Sequence, residues 1–331
     1  MESKSTARTR PSHRRLTAAV GCWMVAGVLL VACGKDTPAP RVDSVAPSVA
    51  PAATPVDSVA PKVDTRWSGS AGPALYLPGE NGVAQVILPP VLDDSVPKPS
   101  SVTLPAGAAP ASVDLFAPTG RVATVSLGEY AASAQPEAVE GCDAWPVVPL
   151  RGDAAGVAPA SWKVALRAGV ADPVPTDSIG AMSRGDSAQL VVAINKAAAL
   201  LPLDPAGVLR RVPFGVTRAY RLKLGTDIDA VVAVVERRLN VEASPRVERT
   251  VIVLEKSPGM RAYAAVWRDT QYAEEDDLIA VELLAVVTFR ATGIPAVFLG
   301  QDFGDGSRVQ MLQRTAGGIW SLRWESAYTG C

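Results

Sequence analysis

AVFLGQDFGDGSRVQMLQRTAGGIWSLRWE, residues 296–325, holds three apolar stretches cut by FGDGS and TAGG. The stretches 296–301, 307–314 and 319–325 are short and rich in β-branched or aromatic residues. Glycine-rich turn chemistry separates them, which is the pattern of strands joined by hairpins. Connections this short join only antiparallel neighbours, because a parallel return takes a dozen residues or more. In the last stretch Trp320, Leu322 and Trp324 alternate with Ser321, Arg323 and Glu325. That alternation predicts one buried face carrying both tryptophans and one wet face. Asp305-Gly306 reads as the hairpin reversal, with glycine supplying the positive φ.

Working toward the N-terminus, 228–239, 247–255, 261–267 and 278–289 repeat the pattern, with SPGM at 257–260 as another turn. Together they predict an antiparallel meander of six or seven strands. Before it lies one helix, SAQLVVAINKAAALL at 187–201. Ser183 or Asp186 caps it, Leu190, Ala193, Ile194, Ala197 and Leu201 share a face, and Pro202 stops it. Earlier still, 74–77 and 83–88 flank PGENG, and 112–116 and 121–127 flank APTG, two strand-turn-strand units. The expected fold is therefore α+β and β-rich. A small β-sandwich or barrel subdomain at 66–170 is followed by a helix-plus-meander domain at 171–331.

The first residues carry a different signal. Arg8, Arg10, Arg14 and Arg15 precede an uncharged run over 16–32 that ends in a small residue, the layout of a secretory signal. Leu30-Val31-Ala32-Cys33 then resembles the lipobox of bacterial lipoproteins, in which the cysteine thiol is alkylated with diacylglycerol before cleavage on its amino side. The resemblance covers this leader alone; the rest of the chain resembles no characterised module. It implies a signal peptide at 1–32, lipidation of Cys33 and delivery, with Gly34 following, to the periplasmic side of an outer membrane where the host has one. The competing reading is an uncleaved membrane anchor, which Thr17, Gly21 and Gly27 weaken by thinning the apolar run. Both readings place the body outside the cytoplasm.

Residues 33–65 form the lipidated cysteine and a Pro/Ala-rich tether in which VDSVAP occurs at 42–47 and again at 56–61. Prolines at this density bias the chain to a semi-rigid extended spacer. The whole chain has 32 basic and 33 acidic residues, and loss of the leader leaves 27 against 32, a net charge of −5. Such a balance argues against nucleic acid or anionic headgroups as the main partner.

Of four cysteines, Cys22 leaves with the leader and Cys33 takes the lipid, which leaves Cys142 and Cys331 in an oxidising compartment. A disulfide between them would close a loop of roughly 190 residues, with a chain-entropy stabilisation of about 5 kcal/mol. The pair lacks the CxxC spacing of redox or zinc sites. The single histidine, His13, also lies in the leader. Without imidazole there is no Ser-His-Asp or Cys-His catalysis and no histidine-ligated zinc.

Carboxylate chemistry stays open. Glu236, Glu242 and Glu248 lie in ERRLNVEASPRVER at 236–249; Glu274, Glu275, Asp276 and Asp277 form EEDD; Asp302 and Asp305 lie in QDFGDGS. Two carboxylates across a cleft hydrolyse glycosidic bonds, and an acidic loop holds calcium. The plainer readings are cross-strand pairs on a wet face for the first group, a solvated reversal for EEDD, and turn chemistry for the last. The tryptophans beyond the leader, Trp67, Trp145, Trp162, Trp267, Trp320 and Trp324, would suit a sugar- or peptide-stacking surface if exposed, but alternation buries Trp320 and Trp324 and Trp145 suits packing beside Cys142. The expectation is a lipid-anchored envelope protein, a non-catalytic binding or scaffolding module with no cofactor and no metal. It would be held to the membrane by its anchor and meet an envelope protein or glycan. The competing expectation is a carboxylate-dependent hydrolase of envelope glycans.

Overall fold

Turn residues in the first half of the body close a six-stranded barrel. The computed structural model describes residues 74–88, 110–129, 144–151, 157–201, 207–239, 245–274 and 277–330. Strands β1 (Leu75–Pro78), β2 (Val83–Ile87), β3 (Ser112–Ala117), β4 (Gly120–Leu127), β5 (Val147–Arg151) and β6 (Val164–Arg167) run antiparallel in the closed order β1-β2-β5-β4-β3-β6. Closure matters because strands this short would otherwise leave two unpaired edges in water. The PGENG and APTG turns sit where the sequence places them. Asn81 takes a φ of 55° between β1 and β2, and Gly120 a φ of 133° between β3 and β4.

After the barrel, β7 (Ala171–Pro173) and β8 (Thr176–Ser178) follow in quick succession but join different sheets. Helix α1 (Arg184–Ala198) comes next, started by Ser183, whose hydroxyl oxygen accepts from the Asp186 N–H. This is the side-chain cap that satisfies an otherwise orphaned backbone donor. Four long strands, β9 (Gly215–Leu224), β10 (Ile228–Leu239), β11 (Arg246–Lys256) and β12 (Ala264–Glu274), build a first sheet in the order β12-β11-β10-β9-β8. The strands β13 (Ala280–Phe289), β14 (Pro295–Asp302), β15 (Gly306–Arg314) and β16 (Trp320–Glu325) build a second, in the order β16-β15-β14-β13-β7, with β17 (Thr329–Gly330) pairing β15. The fold is α+β and β-rich.

The antiparallel run expected from the sequence is present, folded into two stacked sheets. Its central strands β10, β11, β13 and β14 are apolar on both faces, and a single sheet of them would leave one face in water. Along β10, Val231, Ala233 and Val235 meet Leu190, Ile194, Ala197 and Ala198 of the helix. The alternate Ala230, Val232 and Val234 meet Val281, Val286, Val297 and Leu299 of the second sheet. The far side of the second sheet, with Leu284, Ala285, Phe298 and Met311, shares a core with Leu75, Phe116, Trp162 and Leu166 of the barrel. The layers are thus helix, sheet, sheet and barrel, and each fully buried Leu or Phe contributes about 1.5–3 kcal/mol. The chain changes sheets between Glu274 and Ala280, so the strands on either side of EEDD, β12 and β13, are not a hairpin pair. β9 is a strand that pattern-reading from 228 onward misses, because Arg218, Arg221 and Lys223 interrupt its apolar alternation.

Two local expectations are corrected. Trp320 and Trp324 are both buried but on opposite faces, Trp320 between the sheets and Trp324 toward the barrel. A register shift pairs Met311 with Trp324 and Leu312 with Leu322, and one extra residue in a strand reverses the facing of everything beyond it. Leu322 is left 45% exposed. In the β14–β15 turn the positive φ, 88°, belongs to Gly304 and not to Gly306. Gly306 is needed for another reason: a Cβ there would lie 2.2 Å from the Thr329 carbonyl oxygen.

Candidate functional site

The acidic residues divide into pairs locked inside the sheets and singles in solvent. On the β10–β11 ladder Arg237 stands directly opposite Glu248, and Glu236 opposite Arg249. Arg249 Nε lies 2.6 Å from Glu236 Oε1. Arg237 Nε donates to Glu248 Oε2 at 2.6 Å and Nη1 to the Leu209 carbonyl at 3.1 Å, with the Phe214 ring 4.6 Å from the guanidinium carbon. The cross-strand pairing matches the sequence, but the wet face does not: the Arg237 and Glu248 side chains are 5% and 1% exposed. Phe214 and Leu209, which precede β9, cover that end of the sheet, and nothing in the alternation of ERRLNVEASPRVER announces them.

Glu255, at the other end of β11, reaches across to the second sheet. Arg314 donates to both of its oxygens, at 2.7 and 3.0 Å, and the Trp320 indole N–H donates at 2.6 Å. The hydrogen bond and charge of Glu255 hold the Arg314 guanidinium above its ordinary value. Buried Asp114 of the barrel accepts from Thr124 Oγ1 at 2.5 Å and from the Gly169 N–H at 2.9 Å. Asp302 accepts from the Gly304 N–H, and Asp305 from the Tyr328 hydroxyl at 2.6 Å. Glu274 and Asp277 are exposed. Glu242, Glu275, Asp276, Cys33, Cys142, Cys331 and Trp67 lie outside the described residues. Among the described residues no cluster of three or more histidine, cysteine, aspartate or glutamate side chains gathers.

Two clefts remain. One, of about 410 Å³, lies where the barrel meets the second sheet and is lined by Lys163, Arg218, Glu282, Gln301 and Arg308 among others. Its charges are largely spent: Lys163 pairs with Glu282 at 3.0 Å, Arg308 with Glu325 at 3.0 Å, and Arg218 donates to the Val281 carbonyl.

The other, of about 400 Å³, runs between α1 and the turn linking β11 to β12. Once Leu190, Ile194, Ala197 and Ala198 turn α1 toward the first sheet, Gln189, Ala193, Lys196 and Leu200 form the adjacent row at spacings of three and four, which faces the cleft. Opposite stand Arg221 of β9, Lys256 at the end of β11, and Arg261 and Tyr263 of the turn. Behind them Asp229 accepts Lys223 at 2.5 Å and Arg221 at 3.2 Å, with Lys256 at 3.6 Å. Burial would lift the Asp229 carboxyl, but hydrogen bonds from Lys223 and Arg221 outweigh it and hold it below the ordinary aspartate value. Burial first, and then the charge of Asp229, raise the Tyr263 hydroxyl above its ordinary value, so it remains a donor at neutral pH.

None of these cationic residues stands out in the sequence, because they come from four separate segments. The available signal was surplus: VVAINKAAALL carries Val192 and Leu200 beyond what one buried helix face needs. The cleft joins the apolar side chains of Val192 and Leu200 to four basic side chains and the Tyr263 hydroxyl. Comparison of the chain with protein-family models, with curated proteins and with solved structures finds no match.

Proposed function

We propose that the chain is a lipid-anchored, extracytoplasmic envelope protein acting as a non-catalytic binding module. The observation that carries this reading is the state of the carboxylates. Each buried one among the described residues, Asp114, Glu248 and Glu255, is engaged by an arginine or by hydrogen-bond donors of its own fold. A general acid needs a raised pKa and an open path to substrate, and a nucleophile needs a free lone pair. Carboxylates closed inside the fold and engaged by its own donors lack that open path. The leader supports the anchor, and the basic, apolar-walled cleft beside α1 supports recognition.

One preparation tests both halves. Wild-type protein incubated with purified envelope glycan strands should release no new reducing ends, and Cys33→Ser should accumulate as unprocessed precursor because serine lacks the thiol that accepts lipid. Glycan cleavage abolished by Glu236→Gln would return the chain to the hydrolases. A mature, unmodified N-terminus in the wild type would remove the anchor.

A further inference from the structure

The cleft between α1 and the β11–β12 turn has the two-part chemistry of a site for one kind of molecule. We propose that it binds a small, free amphiphilic anion, a carboxylate or phosphate head carrying an apolar tail; this rests on the reading of the chain as a binding module.

The tail is argued from the helix. Val192 and Leu200 are 53% and 85% exposed although α1 already buries a complete apolar stripe. Both line the cleft, with Ala193 between them. Apolar surface left in water on the wall of a cavity gains free energy when a tail covers it, at about 25 cal/mol per Å². The volume of about 400 Å³ lies within the range of small-molecule sites.

The head is argued from charge. Lys196 and Arg261 line the cleft and form no ion pair among the described residues. Arg221 and Lys256 share the carboxylate of Asp229 with Lys223, and Asp177 stands opposite Arg221 on β8, three cations to two anions. Among the described residues the one acidic side chain in the lining is Asp186, which accepts from the Ser183 hydroxyl at 2.7 Å at the helix start. A positive surplus is therefore concentrated here on a chain that is close to balanced, with 32 basic and 33 acidic residues. The Tyr263 hydroxyl adds a neutral donor at the same wall. A monomeric ligand fits better than a membrane surface, because the acidic remainder of the mature chain repels an anionic bilayer while a concave site excludes it.

The test uses the full-length protein in neutral phosphatidylcholine nanodiscs, titrated calorimetrically with decyl phosphate, decanoate, decanol and inorganic phosphate, with empty nanodiscs as the blank. Decyl phosphate and decanoate should bind one to one, and decanol and inorganic phosphate at least about tenfold more weakly. The double variant Lys196→Gln with Arg261→Gln should lose about tenfold in affinity, as should Val192→Ser with Leu200→Ser, while exposed Arg323→Gln should change nothing. Val192 and Lys196 lie on the helix flank and Leu200 in the turn that follows it, so melting curves check folding; Lys196→Glu alone serves if a double variant melts early. Equal binding of decanol or of inorganic phosphate, no uptake of decyl phosphate, or binding only to phosphatidylglycerol vesicles would each overturn the proposal. None of those results touches the non-catalytic reading, which falls only to glycan turnover.

Discussion

Replacing Glu255 by methionine should loosen the two sheets from each other. Glu255 is the inter-sheet acceptor for three donors, two from Arg314 and one from Trp320, and its side chain is 6% exposed against 18% for Arg314. Removing one partner of a buried ion pair costs about 3–5 kcal/mol, because the remaining charge has lost both water and counter-ion. The residual access of Arg314 to solvent puts the pair near 3 kcal/mol, and the orphaned indole N–H adds about 1 kcal/mol. Glu255→Met should therefore cost about 4 kcal/mol and Arg314→Met about 3 kcal/mol. For a body of this size that lowers the melting temperature by roughly 6–16 °C. The double variant is the informative one. With both charges gone, an apolar pair of similar volume restores packing, and the total should fall to about 1–3 kcal/mol, far below the sum of the singles. Urea unfolding followed by circular dichroism, with unchanged m-values as the check on two-state behaviour, measures all three. Additivity within about 0.5 kcal/mol would refute the clasp, since independent sites add and partners do not.

Asp269 on β12 is half-buried, and burial first, then the charge of Glu325, raise its carboxyl above the ordinary value against a lowering backbone hydrogen bond from Thr270. Its ionised form therefore costs stability at neutral pH, and that cost fades as pH falls through the folded value toward the unfolded one of about 4. Asp269→Asn should melt higher than wild type at pH 7, with the gap closing in acid; equal melting at pH 7 would sink this. For the cysteines, Cys142→Ala and Cys331→Ala should each lose about 2–5 kcal/mol and the double variant no more, as both break one proposed bond. Peptide mapping without reductant that recovers both as free thiols would reject the bond.

Local chemistry in the sequence was enough for most of the turns, the capped helix and the strands of the meander from β10 onward, but not for β5 to β9. Ser183 and the glycine-bearing PGENG, APTG and TAGG segments act on their own neighbours within a few residues, so their effect is written beside them. β10 and β11 are buried on both faces, whereas the sequence pattern pointed to one packed and one wet face and named no cover for the second. That was decided by tertiary structure. The meander folds over after Glu274 because two apolar faces need two covers, and only the assembled stack offers a second sheet, a helix and a barrel. The same cause separates Trp320 from Trp324: one bulged residue reverses a strand's facing, and a bulge is chosen by the partner strand. It also explains why Arg237 and Glu248 are dry. The residues that cover them, Leu209 and Phe214, come from a segment well before their own hairpin. The basic cleft was the least legible feature, since Lys196, Arg221, Lys256 and Arg261 acquire a common meaning only when α1 is laid across the first sheet.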